Sequence, residues 1–72
     1  MCLAVPGLVT RIDGNLAEVD IRGNRLQVQA ALVPDLRVGE YVLVHAGFIL
    51  NKVDPEEARQ TLRLVEEIYG TP

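Results

Sequence analysis

The sequence has no serine, no tryptophan and one cysteine in 72 residues. The missing serine removes serine-nucleophile chemistry outright. A single cysteine cannot close an intrachain disulfide, and without a CxxC pair thioredoxin-like exchange lacks its resolving thiol. A secreted domain of this size would ordinarily carry several disulfides as staples. Aromatic residues make up only 4% of the chain and the net charge is -3, so the stacking platforms and basic groove of a single-strand nucleic-acid binder are both lacking. Arg11, Arg22, Arg25 and Arg37 are scattered and form no run. No hydrophobic stretch nears the ~18–20 residues that span a membrane. Neither a phosphate-binding loop nor a dinucleotide fingerprint is present. No pair of carboxylates stands at a spacing suited to acid–base work. The strand pattern begins almost at Met1, leaving no signal peptide ahead of it, and the expected compartment is the cytosol.

What is present is an ordinary globular mixture, 49% apolar and 24% charged, enough for one domain over residues 1–72. A domain this small buries only ~60% of the surface its unfolded chain exposes. Its core is thin, and a role played at the surface through partners is expected. The first part, about residues 1–53, reads as short strands between turn signals. Residues 8–13 form one strand, which residues 3–5 extend beyond a break at Pro6-Gly7. After the Asp13-Gly14-Asn15 turn, Ala17, Val19 and Ile21 alternate with Glu18 and Asp20, the mark of a half-buried strand. Gly23-Asn24 signals a second turn, and Leu26, Val28 and Ala30 then alternate with Gln27 and Gln29. Pro34-Asp35 and Gly39 bracket a connecting loop. Residues 41–45 form an apolar strand, Gly47 breaks or bulges the chain, and residues 48–53 continue as a strand. Tyr41 and Phe48 read as core rather than as stacking platforms. So many short strands are best served by closure into a small barrel, which removes the edges.

The period then changes. Asp54 suits an N-cap, Pro55 the first helical position and Glu57 the third position of a capping box. Ala58, Leu62, Val65 and Tyr69, with Ile68 beside them, recur at helical spacing, and Gly70 and Pro72 supply a stop. One helix over about residues 55–69 is predicted, its apolar stripe packed on the barrel. Glu56, Glu57, Glu66 and Glu67 read as its solvated face.

Two residues carry possible chemistry. Cys2 is either a small buried hydrophobe or, given its place directly after the initiator, a presented thiol. If Met1 is removed, the adjacent ammonium favours the thiolate, a soft ligand for iron, copper or zinc. His45, the one histidine, is either a partly buried residue bonded to a backbone carbonyl or a second participant at a metal held by Cys2. One cysteine and one histidine do not complete a tetrahedral zinc site, so a metal held here needs ligands from elsewhere.

Met1-Cys2-Leu3-Ala4-Val5-Pro6-Gly7 resembles the amino-terminal signature of the HypC/HupF/HybG hydrogenase maturation chaperones, and the segment from Gly39 to Phe48, with Tyr41-Val42-Leu43-Val44-His45-Ala46-Gly47, resembles their second signature. Glu57-Ala58, Thr61-Leu62 and Asp13-Gly14-Asn15 also fit, so the similarity spans essentially the whole chain. Ala46 stands where the family often has a bulkier aliphatic residue, and Ile49 where alanine is frequent. The resemblance implies a mainly β fold, a small OB-fold-like β-barrel of short antiparallel strands with one C-terminal α-helix packed on it. It implies no catalysis by the chain alone and no tightly bound cofactor. It implies work with the scaffold protein HypD, and through that complex with HypE, while iron acquires cyanide and carbon monoxide ligands. Binding of the nickel–iron hydrogenase large-subunit precursor is implied as well, with Cys2 as the essential thiol and His45 as a weaker candidate. Leu3, Val5 and Pro6 are expected interface residues. The competing classes are an OB-fold nucleic-acid binder and an adaptor in which Cys2 has no role.

Overall fold

The computed structural model describes residues 4–69, the last of these by its backbone alone. Five strands, β1 (Val5–Asp13), β2 (Leu16–Ile21), β3 (Asn24–Gln29), β4 (Tyr41–His45) and β5 (Phe48–Val53), precede one helix, α1 (Pro55–Tyr69). The strands close into a barrel in the order β1-β2-β3-β5-β4. All neighbours are antiparallel except β3 and β5, which run parallel and meet at Gln29 and Phe48. This is the mainly β, helix-terminated barrel that the resemblance implied.

The core is built from small β-branched side chains. Val9, Val19, Val42 and Ile49 are the largest fully buried groups, joined by Ala17, Val28, Ala30, Val33 and Val44. Valine suits a pleated surface because its branched Cβ packs against cross-strand neighbours, and a five-stranded barrel has room for little more. Val33 enters from the loop between β3 and β4, which folds through successive turns: Val33 N–H donates to Ala30 O and Leu36 N–H to Val33 O. The loop's far end joins β1, where Val9 N–H donates to Glu40 O and Gly39 N–H to Val9 O, both at 2.9 Å. The β1–β2 register shifts between Val9 and Arg11. The Thr10 hydroxyl sits in this bulge, 3.1 Å from Glu18 O and 2.9 Å from Glu18 Oε1.

Several sequence expectations are corrected. Pro6-Gly7 does not break the chain: both residues lie inside β1, opposite Leu43 and Val42 of β4, and both are buried. A Cβ on Gly7 would stand 3.0 Å from Ile21 Cγ1 and 3.4 Å from Val19 Cβ, so glycine lets β1 pass close to β2. The second hairpin turns on Arg22-Gly23 rather than Gly23-Asn24, because Ile21 pairs with Asn24 and Arg22 takes a φ of 53°. Leu26 shares the inward side with Val28 but is 46% exposed, since β3 meets β5 only at its Gln29 end. Phe48 is not core either and is 46% exposed.

The helix starts where its cap predicts. Asp54 Oδ2 accepts from the Glu56 and Glu57 N–H groups at 3.1 and 3.2 Å, and Ala58 N–H donates to Asp54 O at 2.9 Å. Its docking is narrower than the stripe suggested. Ala58 is buried and Leu62 and Val65 are half-buried, but Ile68 is 72% exposed. A 15-residue helix is ~22 Å long; it packs beside β1, and its apolar stripe is uncovered at Ile68. The Tyr69 side chain, Gly70 and Pro72 lie outside the described residues.

Candidate partner-docking site

The β4–β5 connection is a two-residue hairpin. His45 pairs with Phe48, and the intervening Ala46 and Gly47 both take left-handed φ values, 53° and 84°. That is the type I′ pattern, whose twist matches the strands it joins. Residues that face each other in such a pair project to the same side of the sheet. Ile49, next to Phe48, is fully buried, so His45 and Phe48 share the outer side. Gln29 N–H donates to Gly47 O at 2.8 Å and ties the hairpin to the end of β3.

The start of the chain lies on the other flank of β4. Val5 pairs with Val44, the residue that precedes His45. Cys2 and Leu3 lie outside the described residues. Covalent reach alone keeps the Cys2 Cα within about 7 Å of the Ala4 Cα, two residues along. The start of β1 therefore lies against the strand that ends in the one histidine. Of the expected interface residues, Val5 is half-buried and Pro6 is buried. Pro6 is on the outer side with Leu43, and α1 is the helix packed beside its strand.

Among the described residues no group of three His, Cys, Asp or Glu side chains could hold a metal. The ionic contacts there are structural. Lys52 Nζ on β5 bonds Asp35 Oδ2 at 3.0 Å, Asp35 O at 3.1 Å and Glu40 Oε2 at 3.2 Å, and Glu40 Oε1 accepts from Arg37 N–H at 2.7 Å. This latch holds the β3–β4 loop to the barrel. The Lys52 hydrogen bond lowers the Asp35 carboxyl below its ordinary value, and the Asp35 hydrogen bond raises the Lys52 ammonium above its own. On the helix, Glu56 Oε1 bonds Arg59 Nη2 at 2.9 Å and raises the guanidinium, with Tyr41 adding a smaller effect. A cleft of about 120 Å³ on the first three strands is lined by Arg11, Asp13, Leu16, Ala17, Glu18 and Gln27. One arginine among two carboxylates, with no aromatic ring, is a poor seat for a nucleic-acid strand. No described helix is long and apolar enough to cross a membrane.

Sequence reading missed the exposed Phe48. Its signal was available in the hairpin rule, since a two-residue turn at Ala46-Gly47 makes His45 and Phe48 partners on one side.

These features define a class: a small closed barrel whose first strand starts beside a tight hairpin of half-buried His45 and exposed Phe48. The HupF/HypC family model matches residues 1–65, and the chain belongs to that family. Among its relatives, the hydrogenase maturation factor HypC of Rhizobium leguminosarum bv. viciae is 47% identical over 68 residues, covering 93% of this chain and 91% of its own. That of Cupriavidus necator is 44% identical, covering 94% and 77%. That of Escherichia coli K12 is 40% identical, covering 96% and 83%.

Proposed function

We propose that this protein is a cytosolic hydrogenase maturation chaperone that acts by binding and not by catalysis. It works with HypD while the iron–cyanide–carbon monoxide fragment of the nickel–iron site is assembled, with HypE supplying cyanide through that complex. It then delivers the fragment to the large-subunit precursor, with Cys2 as the shared iron ligand and His45 as a second participant. The observation that carries this reading is family membership over nearly the whole chain, including the motif that contains Cys2.

The physical chemistry supports it. A thiolate is a soft ligand suited to iron, and an adjacent α-ammonium favours the thiolate form. An iron fragment with labile ligands is better passed between proteins than released. A thiol three residues ahead of the first barrel strand can reach a partner's cleft while the barrel stays outside. The chain's own donors are too few for a closed site, which suits a ligand set shared across an interface.

The test is a pull-down of HypD with wild-type protein and Cys2→Ala, followed by iron analysis and a hydrogenase maturation assay. The variant is expected to lose co-purifying iron and to abolish maturation. Full maturation by Cys2→Ala would overturn the reading in favour of an adaptor without a thiol role.

A further inference from the structure

Closure of the barrel leaves one strand edge open. Among the described residues β2 pairs with β3 along the whole of β3, whereas β5 meets β3 only at Gln29–Phe48. The Arg22-Gly23 turn has left-handed φ values of 53° and 89°. That is the type I′ pattern, so its closing pair, Ile21 and Asn24, exchanges both hydrogen bonds. The alternation that follows points the N–H and C=O of Asn24, Leu26 and Val28 at β2, and those of Arg25, Gln27 and Gln29 away from it. Two bonds fix the phase. Ala30 N–H donates to Asn15 O, just before β2, at 2.7 Å, and Gln29 N–H donates to Gly47 O on the far side at 2.8 Å. Arg25 and Gln27 therefore present N–H and C=O groups that no other described strand takes up. Residues 24–27 are all exposed, and Leu26 is 46% exposed although it shares the inward side with Val28.

We propose that this edge binds the same edge of a second copy of the chain, as a two-fold antiparallel pair of β3 strands centred on Leu26. An edge with free amides is a template for a further strand, and the residues of β3 select their own copy in one register. With the axis at Leu26, Arg25 of each copy stands opposite Gln27 of the other as a hydrogen-bonded pair, and every open N–H and C=O of both residues finds a partner at once. Leu26 meets its counterpart as a non-hydrogen-bonded pair, where side chains come closest, and each covers the apolar group that the other leaves in solvent. The neighbouring registers are worse. Centred on Arg25, the pair sets two guanidinium groups directly opposite each other, which is destabilising. Centred on Gln27, it sets Arg25 against Gln29, whose N–H is already held by Gly47 O. One short strand per copy buries far less than the ~1,600 Å² of a stable complex, so the dimer is weak and forms at high concentration. The pairing does not depend on the function proposed above.

The experiment is sedimentation equilibrium of the full chain from about 10 µM to about 1 mM, with reductant so that Cys2 cannot cross-link copies. Amide hydrogen exchange is followed by NMR at both ends of the range, and thermal melts accompany each variant. Wild type is expected to pass from monomer towards dimer. The Arg25 and Gln27 amides should slow as concentration rises, while those of Leu26 and Val28, bonded to β2, stay slow throughout. Gln27→Pro removes an edge N–H without touching a bond to β2 and is expected to stay monomeric. Gln27→Arg sets a second cation opposite Arg25 and should weaken the dimer about threefold or more, whereas Gln27→Glu should tighten it by about as much. Should Gln27→Pro fail to fold, these two charge variants decide. Leu64→Ser, an exposed apolar control on α1, should dimerise as wild type does. The pairing is overturned by a wild type that stays monomeric at the highest concentration, or by a dimer in which Arg25 and Gln27 still exchange fast. Equal affinity in Gln27→Arg and Gln27→Glu, or a dimer lost in Leu64→Ser and kept in Gln27→Pro, overturns it as well.

Discussion

In the barrel, the decisive contacts join residues far apart in the chain: Val5 meets Val44, and Gln29 meets Phe48. In the helix, the decisive contacts are local: Asp54 caps Glu56 and Glu57, and Glu56 pairs with Arg59 three residues on. The barrel buries a row of valines and Ile49, whereas the helix buries Ala58 and leaves Leu64 and Ile68 in solvent. One region is stabilised by closure and the other chiefly by its own turns, so damage to each should stay largely separate.

The largest effect is expected at Gly7. Valine there must displace Ile21 and Val19, at about 1–3 kcal/mol, in the range of overpacked cores. Denaturant unfolding measures it, and an unchanged midpoint would show that the close β1–β2 approach is not tight. Next is Asp54→Ala, which removes the acceptor for two amides at a cost of about 1 kcal/mol. Hydrogen exchange should speed at Glu56 and Glu57 while the amides of β2 and β4 keep their protection. Equal loss in the barrel would end the claim that the two regions are separable.

The smallest effect concerns the latch that holds the β3–β4 loop to the barrel. Asp35 is lowered, so its contribution is present above an unfolded pKa of about 4 and is lost as pH falls through the lower folded value. Lys52 is raised, so its contribution is present below about 10 and is lost as pH rises through the higher folded value. Asp35 is exposed and Lys52 half-buried, and solvent screens the pair. Loop amides of residues 35–40 should exchange faster at both extremes in wild type. In Lys52→Gln they should exchange fast at every pH; a pH dependence like that of wild type would exclude the latch as its cause.

Where a signal was local, the sequence was read correctly. The Asp54-Pro55 start, the Gly14 turn and the strand alternation of residues 16–21 each depend on neighbours within a few positions. The errors have a common cause. Pro6-Gly7 reads as a break because Pro and Gly punctuate chains, but in β1 the glycine answers a contact with β2 and the proline pairs with Leu43 of β4. Leu26 and Ile68 followed the apolar period and still face solvent, because the surfaces that would have covered them stop short. By residue type Phe48 reads as core, whereas its place opposite His45 turns it outward. Of the candidate site, His45 sits on the hairpin that adjoins the start of β1, and Cys2 is limited by chain length to that neighbourhood.

By itself the sequence determined the chemical inventory: one thiol, one imidazole, no serine and a well-capped helix. These are matters of composition and of contacts within one turn of chain. Only the tertiary structure decided that the start of β1 lies against β4, that Gly7 passes close to β2, and that Leu26 is left uncovered. Each depends on barrel closure, which pairs strands more than thirty residues apart at the ends of β1 and β4, and no local pattern encodes which faces such a closure covers.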